Sequence, residues 1–227
     1  MKIGILIAGH VPDEMQPQYG DYDVVFPNFL AGHGLSFEPF FVVDGQFPDG
    51  PDAADGWLIT GSKHGVYEDH AWIPPLENLI RQIHARRHPL VGICFGHQII
   101  AQALGGRVEK FNEGWAMGRT HYSGEDGRLT LNAWHQDQVV EAPAEARVLA
   151  GNDFCANAVL AYGDHVWSVQ PHPEFSAQYV HALGDARRDV VPADRLRAAL
   201  ADVDGANDND TIAAFIADFF LKPRDAA

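Results

Sequence analysis

Residues 89–106 read Pro-Leu-Val-Gly-Ile-Cys-Phe-Gly-His-Gln-Ile-Ile-Ala-Gln-Ala-Leu-Gly-Gly. Residues 90–93 are a solidly apolar run of strand length, and residues 98–104 carry a helical pattern. The chain therefore passes from strand to helix around Cys94 with almost no loop. Gly92 and Gly96 stand two residues before and two after that cysteine. So sharp a turn brings the two backbones close together, which needs glycine, and it leaves the residue at the apex strained and lifted clear of the sheet. It also sets the thiol at a helix N-terminus, where the dipole favours a thiolate. The Phe95 N–H opens into the same space and can bind a developing oxyanion. Taken alone, Gly-x-Cys-x-Gly fits a buried cysteine beside turn glycines as well as it fits a nucleophile.

The rest of the chain shows what such a turn is embedded in. Apolar runs at 3–8, 40–43, 57–60 and 90–93 have the length and composition of strands buried on both faces. Helical patterns alternate with them at 22–33, 73–87 and 96–104; in the second, Leu76, Leu79, Ile80 and Ile83 recur at helical spacing. Strand–helix alternation predicts an α/β fold with a parallel sheet and right-handed crossovers. After Gly105-Gly106 the pattern changes to strand-like pieces at 114–121, 129–134, 147–150, 156–162 and 166–169, with hairpin turns at 124–127 and 163–164. These extend the sheet with mixed strands. The tail is helical again. Asp194 is placed to cap a helix carrying Leu196, Leu200 and Val203. Asn209-Asp210 opens another, whose Ile212, Phe215, Ile216, Phe219 and Phe220 form an apolar stripe suited to docking on the domain's own core. The expectation is a single α/β domain over residues 1–175, with a central, mostly parallel sheet of mixed edge flanked by helices. Residues 176–227 form a helical C-terminal extension packed on it.

Composition narrows the function. With 31 acidic against 16 basic residues the net charge is −15, and the densest basic pieces are only Arg86-Arg87 and Arg187-Arg188. Such a surface repels phosphate, so a nucleic-acid partner is excluded. The N-terminal apolar run is too short for a signal-peptide core, and no stretch reaches the roughly 18 apolar residues of a membrane helix. A cytoplasmic protein with no membrane partner is expected. The two cysteines, Cys94 and Cys155, cannot build a disulfide framework and lack the spacing of a zinc site.

A second polar tip follows an apolar run at 166–175, Val-Trp-Ser-Val-Gln-Pro-His-Pro-Glu-Phe. In extended geometry His172 and Glu174 share one face. Pro171 and Pro173 bias their predecessors toward extended backbone. An imidazole beside a carboxylate is what a general base needs, because the acid orients the ring and stabilises its charged form.

Gly92-Ile-Cys94-Phe-Gly96-His-Gln98 followed by His172-Pro-Glu174 resembles the class I (triad) glutamine amidotransferases, especially the glutaminase domain of GMP synthetase and its stand-alone relatives. The likeness runs from about Trp57 to Phe175. It implies Cys94 as nucleophile, His172 as general base and acid, and Glu174 as its orienter. Residues 59–69, Ile-Thr-Gly-Ser-Lys-His-Gly-Val-Tyr-Glu-Asp, resemble the family's glycine-rich oxyanion strand, which implies the Gly61 N–H as second oxyanion donor beside Phe95. Residues 134–139 resemble the loop that holds the glutamine α-amino and α-carboxylate groups. That implies substrate contacts from His135, Gln136 and Asp137, with Gln98 at a further contact position. The Pro-His-Pro-Glu context favours His172 over His135 as the base. His10, His33, His70 and His121 are scattered, with surface or structural roles expected and no metal site. The implied reaction is hydrolysis of glutamine, or of another γ-glutamyl compound, through a Cys94 thioester, with no metal or organic cofactor required. No phosphate-cradling ATP loop is present. Either a separate synthase subunit receives the ammonia, or the chain is a self-sufficient γ-glutamyl hydrolase of the peptidase kind. A catalytically silent binding module is the third reading, and the intact cysteine, histidine and glutamate set argues against it.

Overall fold

The computed structural model describes residues 1–125 and 127–223; Asp126, in the turn expected at 124–127, lies outside them. β1 (Lys2–Leu6), β2 (Ser36–Phe40), β3 (Gly56–Ile59) and β4 (Leu90–Ile93) pair in parallel in the order β2-β1-β3-β4. The period-2 alternation of a strand divides their side chains between two cores. Ile3, Ile5, Ile7 and Leu58 enter one; Leu6, Trp57 and Ile59 enter the other. Both cores are apolar, which is why β1, β3 and β4 read as unbroken hydrophobic runs, whereas β2, with Ser36, Glu38 and Pro39 and no buried residue, does not.

Helices cover both faces. On one side lie α1 (Gln16–Tyr19) and α2 (Tyr22–Phe29), the latter capped by Asp21, whose carboxylate accepts from the Tyr22 N–H at 2.8 Å. On the other lie α3 (Ile73–Ala85), entered through Pro74-Pro75, and α4 (Phe95–Ala103). The expected periodicity holds: Leu76, Leu79, Ile80 and Ile83 are all buried.

Two boundaries differ from expectation. The strand expected at 40–43 lies instead at Ser36–Phe40: residues 42–44 form a tight 3₁₀ turn closed by Gly45 at φ 80°, and Val42 is buried but contacts the core from that turn. α2 stops at Phe29, short of the expected 33, where Gly32 and Gly34 adopt positive φ.

β5 (Arg107–Lys110), β6 (Ala116–Gly124), β7 (Gly127–His135), β8 (Asp137–Glu141), β9 (Ala146–Gly151), β10 (Val159–Tyr162) and β11 (Val166–Val169) follow. β11 returns to lie parallel beside β4, with Val166 opposite Leu90 and Val169 opposite Ile93. Beyond it β10, β9, β6 and β7 add antiparallel pairs, so among the described residues one sheet of nine strands runs β2-β1-β3-β4-β11-β10-β9-β6-β7. The mixed extension is as expected, and the β6–β7 hairpin closes with Gly124 opposite Gly127. β5 and β8 form a separate two-stranded ribbon that the sequence did not disclose; β5 buries only Val108 of its four residues.

The tail comprises α5 (Ala177–Ala186), α6 (Ala193–Asp202) and α7 (Asn209–Leu221). Asp194 lies inside the first turn of α6, with Pro192 at the cap position; it can complement the helix dipole but does not cap. Ile212, Ile216 and Phe220 of α7 enter the same core as β1 and β4, while Phe215 leans on the Trp167 ring at 5.0 Å. Ile216 and Phe220 are fully buried, each burial being worth about 1.5–3 kcal/mol, whereas Phe215 stays exposed. No helix among the described residues is long and apolar enough to cross a membrane.

Candidate active site

Adjacent, parallel β4 and β11 both end at the same edge of the sheet, so the residue after each is brought close to the other. Cys94 follows β4 at φ 54° and ψ −102°, a left-handed backbone that costs a non-glycine residue about 1–3 kcal/mol. Its N–H donates to Val169 O at 2.9 Å and the Gly96 N–H donates to Thr60 O at 3.1 Å. These bonds tie the turn to β11 on one side and to the end of β3 on the other. The glycines are required sterically: a Cβ on Gly92 would lie 2.5 Å from Gly96 O, and one on Gly96 would lie 2.3 Å from Ile59 O. Gly96→Ala is therefore expected to destabilise by about 2–3 kcal/mol and to displace the thiol. Urea denaturation and Cys94 alkylation rates both report this, and an unchanged midpoint with unchanged labelling would refute it.

His172 follows β11 across Gln170 and Pro171. Its N–H donates to Asn132 O at 2.8 Å, and the Asn132 side-chain amide donates to Phe175 O at 2.9 Å. The imidazole stacks on the Phe175 ring, centroids 4.0 Å apart and planes within 5°. His172 Nδ1 lies 2.7 Å from Glu174 Oε1, and the Glu174 side chain is fully buried. The expected extended geometry is corrected here: residues 172–175 turn, with the Phe175 N–H reaching back to His172 O at 3.3 Å. It is this turn that folds the carboxylate onto the ring. With Nδ1 facing Glu174, Nε2 is left for the sulfur. Burial alone would lower the His172 pKa, but the Cys94 and Glu174 charges outweigh it and hold the imidazole at about 10.

Gly61 completes the cluster. A Cβ built there would lie 3.0 Å from His172 Cε1 and 3.8 Å from Cys94 Cβ, so a side chain would crowd the imidazole. Phe95 is the first residue of α4, and its N–H has no intrahelical acceptor. Cys94, His172, Glu174, Gly61 and Phe95, drawn from three sequence segments, thus meet at one point.

A cavity of about 270 Å³ opens over the sulfur and is lined by Gln98, His135, Gln136 and Asp137 as well as Cys94 and His172. The Gln98 amide nitrogen donates to Asp137 O at 2.8 Å and to Gln170 Oε1 at 3.1 Å, so this side chain braces the 135–138 segment. His135 faces Asp137 O through Nδ1 at 3.1 Å. Burial pushes its pKa down to about 4, so the ring is uncharged at neutral pH, and the neighbour across Nδ1 is a carbonyl rather than a carboxylate. Asp137 accepts the Tyr67 hydroxyl at 2.8 Å, and burial raises its pKa. Sequence reasoning missed Tyr22, Tyr67, Lys110, Trp115, Leu183, Arg187, Val190 and Val191 on the cavity wall. Tyr67 sat inside a quoted motif, whereas the α5–α6 residues carried no local signal. Cys155 packs under Tyr122 and Ala158, where burial pushes its thiol up to about 12.

A family model described as "Glutamine amidotransferase class-I" matches residues 51–181. Gamma-glutamyl peptidase 3 of Arabidopsis thaliana is 33% identical over 201 residues, covering 81% of this chain and 81% of that protein. The glutamine-hydrolyzing GMP synthase of Porphyromonas gingivalis is 29% identical over 177 residues, 70% of this chain and 34% of that protein. The crystal structure of a glutamine amidotransferase from Thermotoga maritima superposes with a TM-score of 0.75 over 96% of each chain at 20% identity, a likeness of fold.

Proposed function

The chain belongs to the class I glutamine amidotransferase family, and from that premise we propose that it hydrolyses a γ-glutamyl amide bond, that of glutamine or of a larger γ-glutamyl compound, through a thioester on Cys94. The observation that carries this reading is the meeting of a strained strand-to-helix cysteine with an imidazole whose far nitrogen faces a buried carboxylate at 2.7 Å. The Cys94 thiolate attacks the γ-carbonyl carbon, and the Gly61 and Phe95 N–H groups donate to the oxyanion. His172 gives its proton to the nitrogen as the C–N bond breaks, releasing ammonia or an amine and leaving a γ-glutamyl thioester. Water then attacks the thioester and passes a proton to His172. The C–S bond breaks, the thiolate returns, and glutamate leaves. Glu174 orients the ring and stabilises its charged form.

Within this reading, one feature favours self-sufficient action on a γ-glutamyl peptide over service to a synthase subunit. The α5–α6 region supplies Leu183, Arg187, Val190 and Val191 to the cavity, giving it an apolar wall and a cation beyond what the ammonia of glutamine requires. Arg187 lines the cavity and forms no ion pair with a carboxylate among the described residues, so it is available for the terminal carboxylate of a peptide leaving group. The test is glutamate release by the purified chain from glutamine and from γ-glutamyl dipeptides, with Cys94→Ala as the blank. Dipeptides should have the higher kcat/KM, and Arg187→Ala should raise their KM about tenfold while leaving that for glutamine unchanged. Activity on neither substrate, restored by a co-purifying protein, would establish the synthase reading instead.

A further inference from the structure

The loop between β3 and α3 carries a cluster that amide hydrolysis leaves unused. His64 Nδ1 lies 3.5 Å from Glu68 Oε2, and His70 Nε2 lies 2.8 Å from the same oxygen. One ligand atom from each of the three residues lies within 4.8 Å of the other two. A tetrahedral ion with bonds of about 2.0–2.2 Å sets its ligand atoms roughly 3.3–3.6 Å apart. The His64–Glu68 separation already matches that edge, and the His70–Glu68 separation reaches it by opening about half an ångström. The rings are held in place. His70 stacks on Trp72, centroids 5.8 Å apart at 14°, and meets His64 edge-on at 4.4 Å. Trp72 in turn packs on Phe95 at 5.5 Å. A simple hydrogen bond between His70 and Glu68 would account for two of these groups, but not for the second imidazole converging on the same carboxylate oxygen.

We propose that His64, Glu68 and His70 form a binding site for a divalent transition-metal ion of the Zn²⁺ class, two imidazoles and a carboxylate being the donor set such ions favour. The fourth coordination position is open. His64 and Glu68 also line the cavity over Cys94, so the ion sits at its rim and joins residues 64 and 70 of the segment that begins at Gly61. An occupied site fixes this wall of the cavity. The proposal is independent of the reaction assigned to Cys94.

The test titrates Zn²⁺ by calorimetry, and Co²⁺ by its visible absorption, into the full chain carrying Cys94→Ala. That background removes the competing thiolate–imidazole pair at Cys94 and His172. One ion per chain should bind, with the intense visible bands of tetrahedral Co²⁺ and a rise in thermal midpoint that grows with metal concentration. Glu68→Gln and His70→Ala, each in the same background, should weaken binding by at least the roughly 10–100-fold that even outer-shell changes cost. Both positions are on a partly exposed loop, and metal-free melting curves matching the parent show that the variants fold. No binding by the Cys94→Ala chain overturns the proposal, as does binding that neither substitution weakens.

Discussion

Cys94→Ala is expected to bring glutamate release down to the enzyme-free rate, a loss beyond about 10⁴-fold, while the melting curve stays close to that of the parent. The same cysteine should account for essentially all alkylation of the folded protein by iodoacetamide near neutral pH. The two thiols are both buried, so accessibility does not separate them; environment does. Cys94 sits at the N-terminus of α4 with the His172 imidazole against it. Cys155 packs against Tyr122 and Ala158, and its burial outweighs the backbone hydrogen bond from Asn157 that favours a thiolate. With its thiol pushed to about 12, only about one Cys155 in ten thousand is ionised at pH 8. Mass spectrometry of a short labelling time course decides the matter. Equal modification of both cysteines in the folded state would remove the basis for assigning Cys94 as nucleophile.

That this residue could be singled out in advance follows from how locally the turn is specified. Gly92, Cys94 and Gly96 lie within five residues, and the clashes that require the glycines are with one another and with Ile59 O. β1, β3 and β4 were legible for a similar reason: burial on both faces leaves a run with no polar alternation to misread, whereas β2, with no buried residue, was placed four residues too late. What could not be read is what long-range pairing creates. The Val166–Leu90 pairing joins positions 76 residues apart, and nothing in either run specifies its partner. The β5–β8 ribbon leaves too few buried positions to show a period. Arg187 and Val191 reach the cavity from the α5–α6 connection only because α7 and α5 dock on the sheet. His70 was read as one of several scattered histidines, because the four-residue step from His64 to Glu68 and the two-residue step on to His70 share no single helix or strand face; a loop brings the three together. The relation of His172 to Glu174 was correct in its consequence but not in its geometry, since the two prolines support a turn rather than an extended pair.

His172→Ala should slow acylation by about 10³–10⁴-fold, and Glu174→Gln should cost much less, since a carboxamide oxygen can still accept from Nδ1–H. The informative readout is the pH profile. The Cys94 and Glu174 charges overcome the penalty of burial and raise the His172 pKa from 6.5 to about 10. A raised pKa means that the imidazolium persists through neutral pH and is lost only as pH climbs through about 10. Protonation of the departing nitrogen needs that imidazolium, so kcat/KM should hold to alkaline pH and fall near 10 instead of near 6.5. Glu174→Gln deletes one of the two charges that raise the pKa, so its alkaline limb should move to lower pH. A purely structural role for Glu174 would lower activity without moving the limb. His135 supplies the control: burial holds it near 4, so it is neutral throughout this range, and His135→Ala should leave the limb where it is. Should His135→Ala abolish acylation while His172→Ala retains it, the base has been assigned to the wrong imidazole.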